Sequence, residues 1–183
     1  MTARGRRWPA LLAIVTAGCA WLRAPGHDAL PSLMVPVAGI SPADVPDGFA
    51  APRDGGRIHG AVDIPAPRGT PVVSADDGRV LRRHRNRKGG LTLYATDASE
   101  RFVYYYAHLD RYRAGVDKGT RLVRGDVIGV VGTTGNADSR EPHLHFQVMR
   151  RPGGGRWWNG EPIDPRPLFT RAGAAHGRDR STE

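Results

Sequence analysis

Five side chains in this 183-residue sequence have the types and spacings from which hydrolytic metal chemistry is built. They are His59 and Asp63 in "HGAVDI", His108 in "YYYAHL", and His143 and His145 in "PHLHF". A catalytic zinc site takes three protein ligands from imidazole nitrogen and carboxylate oxygen and leaves its fourth position open to water. His59, Asp63 and His145 would supply two imidazoles and a carboxylate, a set that suits zinc better than magnesium or calcium, which prefer oxygen shells. The carboxylate lowers the charge of such a site, so its water is less acidic than one bound by three histidines. His143 and His108 would then be left to accept a proton or to donate to a developing oxyanion. A plainer reading stands beside this one: core histidines, or a four-ligand structural site. Structural zinc sites are usually cysteine-rich, and the chain has a single cysteine, Cys19.

The elements that must position these residues are strands. In "EPHLHFQVM" (141–149), Leu144, Phe146 and Val148 alternate with His143, His145 and Gln147. This pattern predicts a half-buried strand with both histidines on its open face, about 7 Å apart. His59 and Asp63 stand four residues apart, a helical spacing, but Gly60, Val62, Ile64 and Pro65 disfavour a helix. Fully extended, the pair would be separated by about 13 Å. Sharing an ion therefore requires a bend, for which Gly60 is suited. Taken alone, the two could equally form a structural hydrogen-bonded pair. His108 ends "FVYYYAHL" (102–109) and, in a regular strand, would share a face with Tyr104 and Tyr106. Of the other histidines, His27 lies in a linker, His176 in a tail and His84 in the basic stretch "RRHRNRK", read as a solvated loop.

The rest of the chain has the texture of short strands and turns, with 24 glycines and 15 prolines. "PVVSA" (71–75) and "RVLRR" (79–83) flank Asp77-Gly78, a hairpin signal. "LTLYAT" (91–96) and "FVYYYAHL" flank "DASE" as a second hairpin, and "VIGVVG" (127–132) reads as a buried strand entering the turn "TTGN". "LMVPVAGI" and "PIDPRPLF" are apolar enough to dock on a core. No internal repeat is evident. The expected organisation is a signal peptide over 1–19, a linker over 20–34, one all-β domain over 35–169 and a disordered tail over 170–183.

At the N-terminus, Arg4, Arg6 and Arg7 precede the short apolar run "ALLAIVTAG", a secretory signal pattern too short to span a bilayer comfortably. Cys19 directly follows "TAG", as in the lipobox of bacterial lipoproteins, although Thr16 stands where an aliphatic residue is usual. Lipidation of Cys19 and ordinary cleavage nearby are both open. With at most one cysteine, the mature chain has no intramolecular disulfide. The net charge of +9 comes almost wholly from arginine, the only lysines being Lys88 and Lys118. It fits an anionic partner or arginine-rich genome composition. No nucleic-acid-binding motif accompanies it.

From about Val35 to Phe169 the sequence resembles the lysostaphin-type, LytM-like zinc metallopeptidases. "HGAVDI" matches the family's His-x-x-x-Asp, "YAHL" its isolated histidine and "PHLHF" its His-x-His. "APRGTPVVSADDGRV" and "VRGDVIGVVGTTGN" match the stretches between. The resemblance implies a compact antiparallel β-sheet domain with a groove, short strands and long loops. It implies one Zn2+ on His59, Asp63 and His145, with His108 and His143 as the catalytic histidines. It implies an enzyme that cuts peptide bonds in peptidoglycan stem peptides or cross-bridges; the N-terminal pattern adds that it is secreted or lipid-anchored, meeting the membrane only through an anchor at Cys19. The alternative is a non-catalytic member that binds the wall or activates a separate amidase; the intact set of five argues against it. Two segments depart from the usual pattern, "NADSRE" (136–141) before "PHLHF" and the abbreviated "RKGGLTLY", and both bear on substrate choice.

Overall fold

Residues 29–152 and 156–170 are described by a computed structural model. Cys19 and the expected signal peptide, His27, and His176 with the tail from 171 lie outside the described residues. Eleven strands follow in chain order: β1 (Pro52–Arg53), β2 (Arg57–Ile58), β3 (Val62–Pro65), β4 (Pro71–Val73), β5 (Gly78–Asn86), β6 (Gly90–Asp97), β7 (Phe102–Tyr112), β8 (Arg121–Leu122), β9 (Val127–Val131), β10 (His143–Arg150) and β11 (Glu161–Ile163). Three short 3-10 turns complete the secondary structure, and no α-helix occurs among the described residues. The all-β expectation holds.

Nine strands form one antiparallel sheet in the order β11-β10-β7-β6-β5-β8, with β3 on β10 and β9 joining β4 to β7. β1 and β2 make a separate two-stranded ribbon. The half-buried strand expected over residues 141–149 is present as β10, which begins at His143. Leu144, Phe146 and Val148 are fully buried, while His143, His145 and Gln147 are half-buried on the other face. The register matches like with like: Leu144 opposes Ile64 and Phe146 opposes Val62, whereas His145 opposes Asp63 on one side and Ala107 on the other. A slip of one residue would exchange the two faces and put the imidazoles in the core, so burial of the apolar series holds the register.

Phe146 is central to that core. Its ring lies 5.1 Å from Tyr106, 6.4 Å from Tyr104 and 6.1 Å from Phe169. Phe146→Ala should cost about 3–5 kcal/mol through lost burial and an unfilled cavity, a large share of a typical domain's stability. Urea unfolding of the two proteins measures it; a cost below about 1 kcal/mol would contradict the packing described. The arm before the sheet docks as its composition suggests. Leu33, Val35 and Val37 are buried, and Leu33 exchanges backbone hydrogen bonds with Leu168 and Thr170.

The hairpin over Phe102 and its predecessors is present, since β6 and β7 pair with Leu93 opposite Tyr106. The hairpin expected at Asp77-Gly78 is not. β4 pairs with β9, and β5 pairs with β6 and β8. The two aspartates bind distant groups instead: Asp76 accepts from the Tyr104 hydroxyl at 2.7 Å and Asp77 from the Arg124 N–H at 2.8 Å. Gly78 runs so close to Thr96 that any Cβ would collide with its carbonyl. Long-range pairing thus overrides a local turn signal. The basic "RRHRNRK" stretch is likewise corrected: its residues up to Asn86 are the end of β5, and only Arg87 and Lys88 lie in the turn that follows. Asn86 closes the turn into β6 by accepting the N–H groups of Lys88 and Gly89. His84 lies in β5 opposite Thr92 and does not line the groove described next.

Candidate active site

A groove of about 930 Å³ lies on the open face of the sheet, and His59, Asp63, His108, His143 and His145 all line it. Each comes from a different local device. His59 precedes a bend at Gly60, where φ is +67°, in the left-handed region that glycine alone enters freely. The bend is pinned by backbone bonds from His59 N–H to Ala51 and from Gly60 N–H to Phe49. It brings His59 Nε2 within 3.3 Å of Asp63 Oδ1, so the extended separation is abolished as expected. Asp63 faces His145 because they are direct cross-strand partners.

His108 reaches the groove by a route that strand periodicity misses. Tyr104 and Tyr106 point into the core, and regular alternation would send His108 with them. Instead, the β6–β7 register shifts between Leu91 and Leu93, and His108 adopts φ +60°. Its N–H turns to Gly89 O, and its ring meets His143 at 4.9 Å and His145 at 5.8 Å between centroids. Left-handed backbone costs an L-residue roughly 1–2 kcal/mol. Strain held at a groove residue is characteristic of functional positions.

The donor atoms of His59, Asp63 and His145 fit a single metal ion. His145 Nδ1 lies 2.9 Å from Asp63 Oδ1 and 3.1 Å from His59 Nε2. An ion bonded at 2.0–2.2 Å to three corners of a tetrahedron spaces its ligands about 3.3–3.5 Å apart, so the triangle needs to open only slightly. The three residues form a group that could hold a metal, with two imidazole nitrogens and one carboxylate oxygen. His143 Nε2 stands at 3.8 Å from Asp63 Oδ1, beside this triangle.

Backbone carbonyls set the ring tautomers. His59 Nδ1 pairs with Gly48 O at 3.0 Å, His108 Nδ1 with Thr134 O at 2.8 Å and His143 Nδ1 with Glu141 O at 2.8 Å. A carbonyl only accepts, so each Nδ1 carries a proton, and in the neutral tautomer Nε2 keeps the lone pair. Burial pulls the His108 imidazolium down to about 4, against weaker support from Thr134, so the ring is neutral at pH 7. Burial likewise lowers His59. For Asp63, burial pushes the carboxyl up, but the hydrogen bond and charge of His145, with the charges of His59 and His143, hold it well below the usual carboxylate range. A carboxylate, two imidazoles in reach of it and two further imidazoles therefore share one groove.

Sequence reasoning did not find the carbonyl partners or Arg53. Thr134 also binds Leu109 O and Leu91 N–H through its hydroxyl, tying the "TTGN" turn to β6 and β7. A threonine in a turn after a buried strand is the only local hint of this. Both departing segments, 136–141 and the turn at Lys88-Gly89, do border the groove.

Comparison with known proteins points one way. The chain is 35% identical over 118 residues to an L-Ala--D-Glu endopeptidase of Bacillus subtilis, covering 62% of this chain and 35% of that protein. It is 34% identical over 93 residues to the peptidoglycan DD-endopeptidase ShyC of Vibrio cholerae, covering 51% of this chain and 20% of that protein. The chain thus spans about a third or less of the length of these curated relatives. Among solved structures, the catalytic domain of the antimicrobial peptidase lysostaphin from Staphylococcus simulans matches with a TM-score of 0.53 and 30% identity, over 63% of this chain and 80% of that one. The model of peptidase family M23 matches residues 57–165, more than half of the sequence and all five groove residues. The chain belongs to peptidase family M23.

Proposed function

We propose that this domain is a zinc endopeptidase that hydrolyses peptide bonds in bacterial peptidoglycan, with one Zn2+ held by His59, Asp63 and His145. The observation that carries the reading is the division of labour within the groove. Three donor atoms converge on one point, and two further imidazoles, His108 and His143, stand beside it with Nδ1 held by a backbone carbonyl. The names of the relatives support the substrate class. Zinc bound there would polarise the scissile carbonyl and lower the pKa of its water. Either His143 or His108 can accept the proton that the nucleophile gives up, at Nε2. Once protonated, the same N–H can donate to the oxyanion or to the leaving nitrogen. Each Nδ1–H, held by a carbonyl, steadies the imidazolium while it exists. Secretion to the cell envelope, with or without an anchor at Cys19, fits the N-terminal pattern.

Incubation of the purified chain with peptidoglycan tests the reading. Zinc-loaded protein should release soluble fragments bearing new amino termini. A chelator should stop the release and added zinc should restore it, since the ion is held only by reversible bonds to these side chains. Tight wall binding by zinc-loaded protein, with no new amine, would instead identify a regulator.

A further inference from the structure

We propose that Arg53 recognises a carboxylate of the substrate, so that the groove selects acidic stem peptides over uncharged ones. The inference rests on the hydrolytic reading above and concerns the same groove.

Arg53 stands on the β1–β2 ribbon, which rises directly from the bend that holds His59. Its partner in register is Arg57, so the two side chains leave the ribbon on one face, about 4.5–5.5 Å apart at Cβ. Both line the groove. The groove's other acidic residues, Asp138 and Glu141, belong to the 136–141 loop, and Asp138 is held in two contacts by Arg140 at 2.9 and 3.2 Å. The ribbon therefore sets two arginines next to the candidate metal centre.

The geometry of Arg53 marks it further. Its Nη2 donates to Asp63 Oδ2 at 3.1 Å, whereas His145 and His59 face Oδ1 at 2.9 and 3.3 Å. Arg53 thus approaches the carboxylate on the oxygen that the imidazoles do not use, and a metal on Oδ1 need not displace it. The guanidinium carries five N–H donors in a planar fork, which one contact at Nη2 does not exhaust. The side chain is 47% exposed, so it meets the groove rather than the core. A carboxylate is the ligand whose geometry matches the fork. Wall stem peptides carry free carboxylates on their acidic residues; a glycine bridge carries none along its length. A substrate anion placed on Arg53 would lie within a few ångströms of the metal centre, where it can fix which peptide bond presents its carbonyl.

The test uses the zinc-loaded full chain and two synthetic cross-linked stem-peptide dimers. They differ only in whether the glutamate α-carboxylate is free or amidated. A charge-assisted hydrogen bond of this kind corresponds to about 10–100-fold. Wild type should favour the free acid by that factor in kcat/KM and in calorimetric affinity. In Arg53→Gln the acid-to-amide ratio should collapse toward one with zinc content retained, and Arg53→Lys should restore part of it. An equal slowing of both peptides, or loss of zinc, would assign Arg53 to Asp63 alone and overturn the proposal. If wild type hydrolyses neither dimer yet binds the acid more tightly through Arg53, the recognition site stands and the hydrolytic reading falls. Hydrolysis without preference for the acid gives the reverse.

Discussion

Replacing His145 with alanine should strip the protein of zinc and abolish its hydrolysis of cell-wall peptides. His145 is the hub of the donor triangle: it lies 2.9 Å from Asp63 and 3.1 Å from His59, while those two are 3.3 Å apart. Without it, only two ligands remain, and a catalytic zinc needs three. Disturbing an outer-sphere partner already costs 10–100-fold in affinity, so loss of a direct ligand should weaken binding by more than about 100-fold. His59→Ala and Asp63→Ala should behave alike. The measurement is elemental zinc content of the purified variants, alongside amine release from peptidoglycan. Unfolding controls matter here because His145 sits in β10 between buried Leu144 and Phe146, yet its own side chain faces the groove, so the fold should survive. Full zinc in all three variants would overturn the ligand assignment.

The second large effect separates ligand from catalyst on the same strand face. His143→Ala should keep most of its zinc and lose about 10²–10⁴-fold in turnover, the usual contribution of a general acid–base group. His108→Ala should do the same. The distinction follows from position: His143 Nε2 stands 3.8 Å from Asp63 Oδ1, outside the tighter triangle, and the His108 ring packs against His143 at 4.9 Å. Zinc content and turnover should be read on the same preparations. A His143→Ala protein that loses zinc while His145→Ala keeps it would reverse the two assignments. Retention of both zinc and turnover would reduce His143 to a bystander. The double variant is informative as well. If the two histidines act as one proton-handling unit, His108→Ala/His143→Ala should fall little further than either alone, since groups that act together are strongly non-additive.

Much of this site is legible in the sequence. The alternation in "PHLHF" placed His143 and His145 on one open face, and the burial of Leu144, Phe146 and Val148 bears that out. The glycine after His59 announced the bend that brings His59 back to Asp63. These readings succeeded because strand faces and glycine bends are local: they depend on side-chain period and on a missing Cβ, both written in adjacent residues. The readings that failed were those in which a distant segment outbid a local preference. Asp77-Gly78 has hairpin chemistry, but Asp77 is claimed by Arg124, the neighbouring Asp76 by Tyr104, Gly78 runs against Thr96, and β4 finds β9 instead. His108 breaks the alternation of its own strand because a register shift against β6 and a left-handed backbone turn it to the groove, where the Thr134 carbonyl receives it.

The sequence by itself determined the residue types for the chemistry, the all-β class and which face of β10 would carry its two histidines. Tertiary structure alone decided that His145 meets Asp63 and His59 at one point, that three imidazoles present Nε2, and that Arg53 stands at the free oxygen of Asp63. The physical reason is range. Periodicity and backbone freedom act over a few residues, whereas these contacts join positions up to 86 apart in the chain, and only the pairing of strands under burial of a common core brings them together.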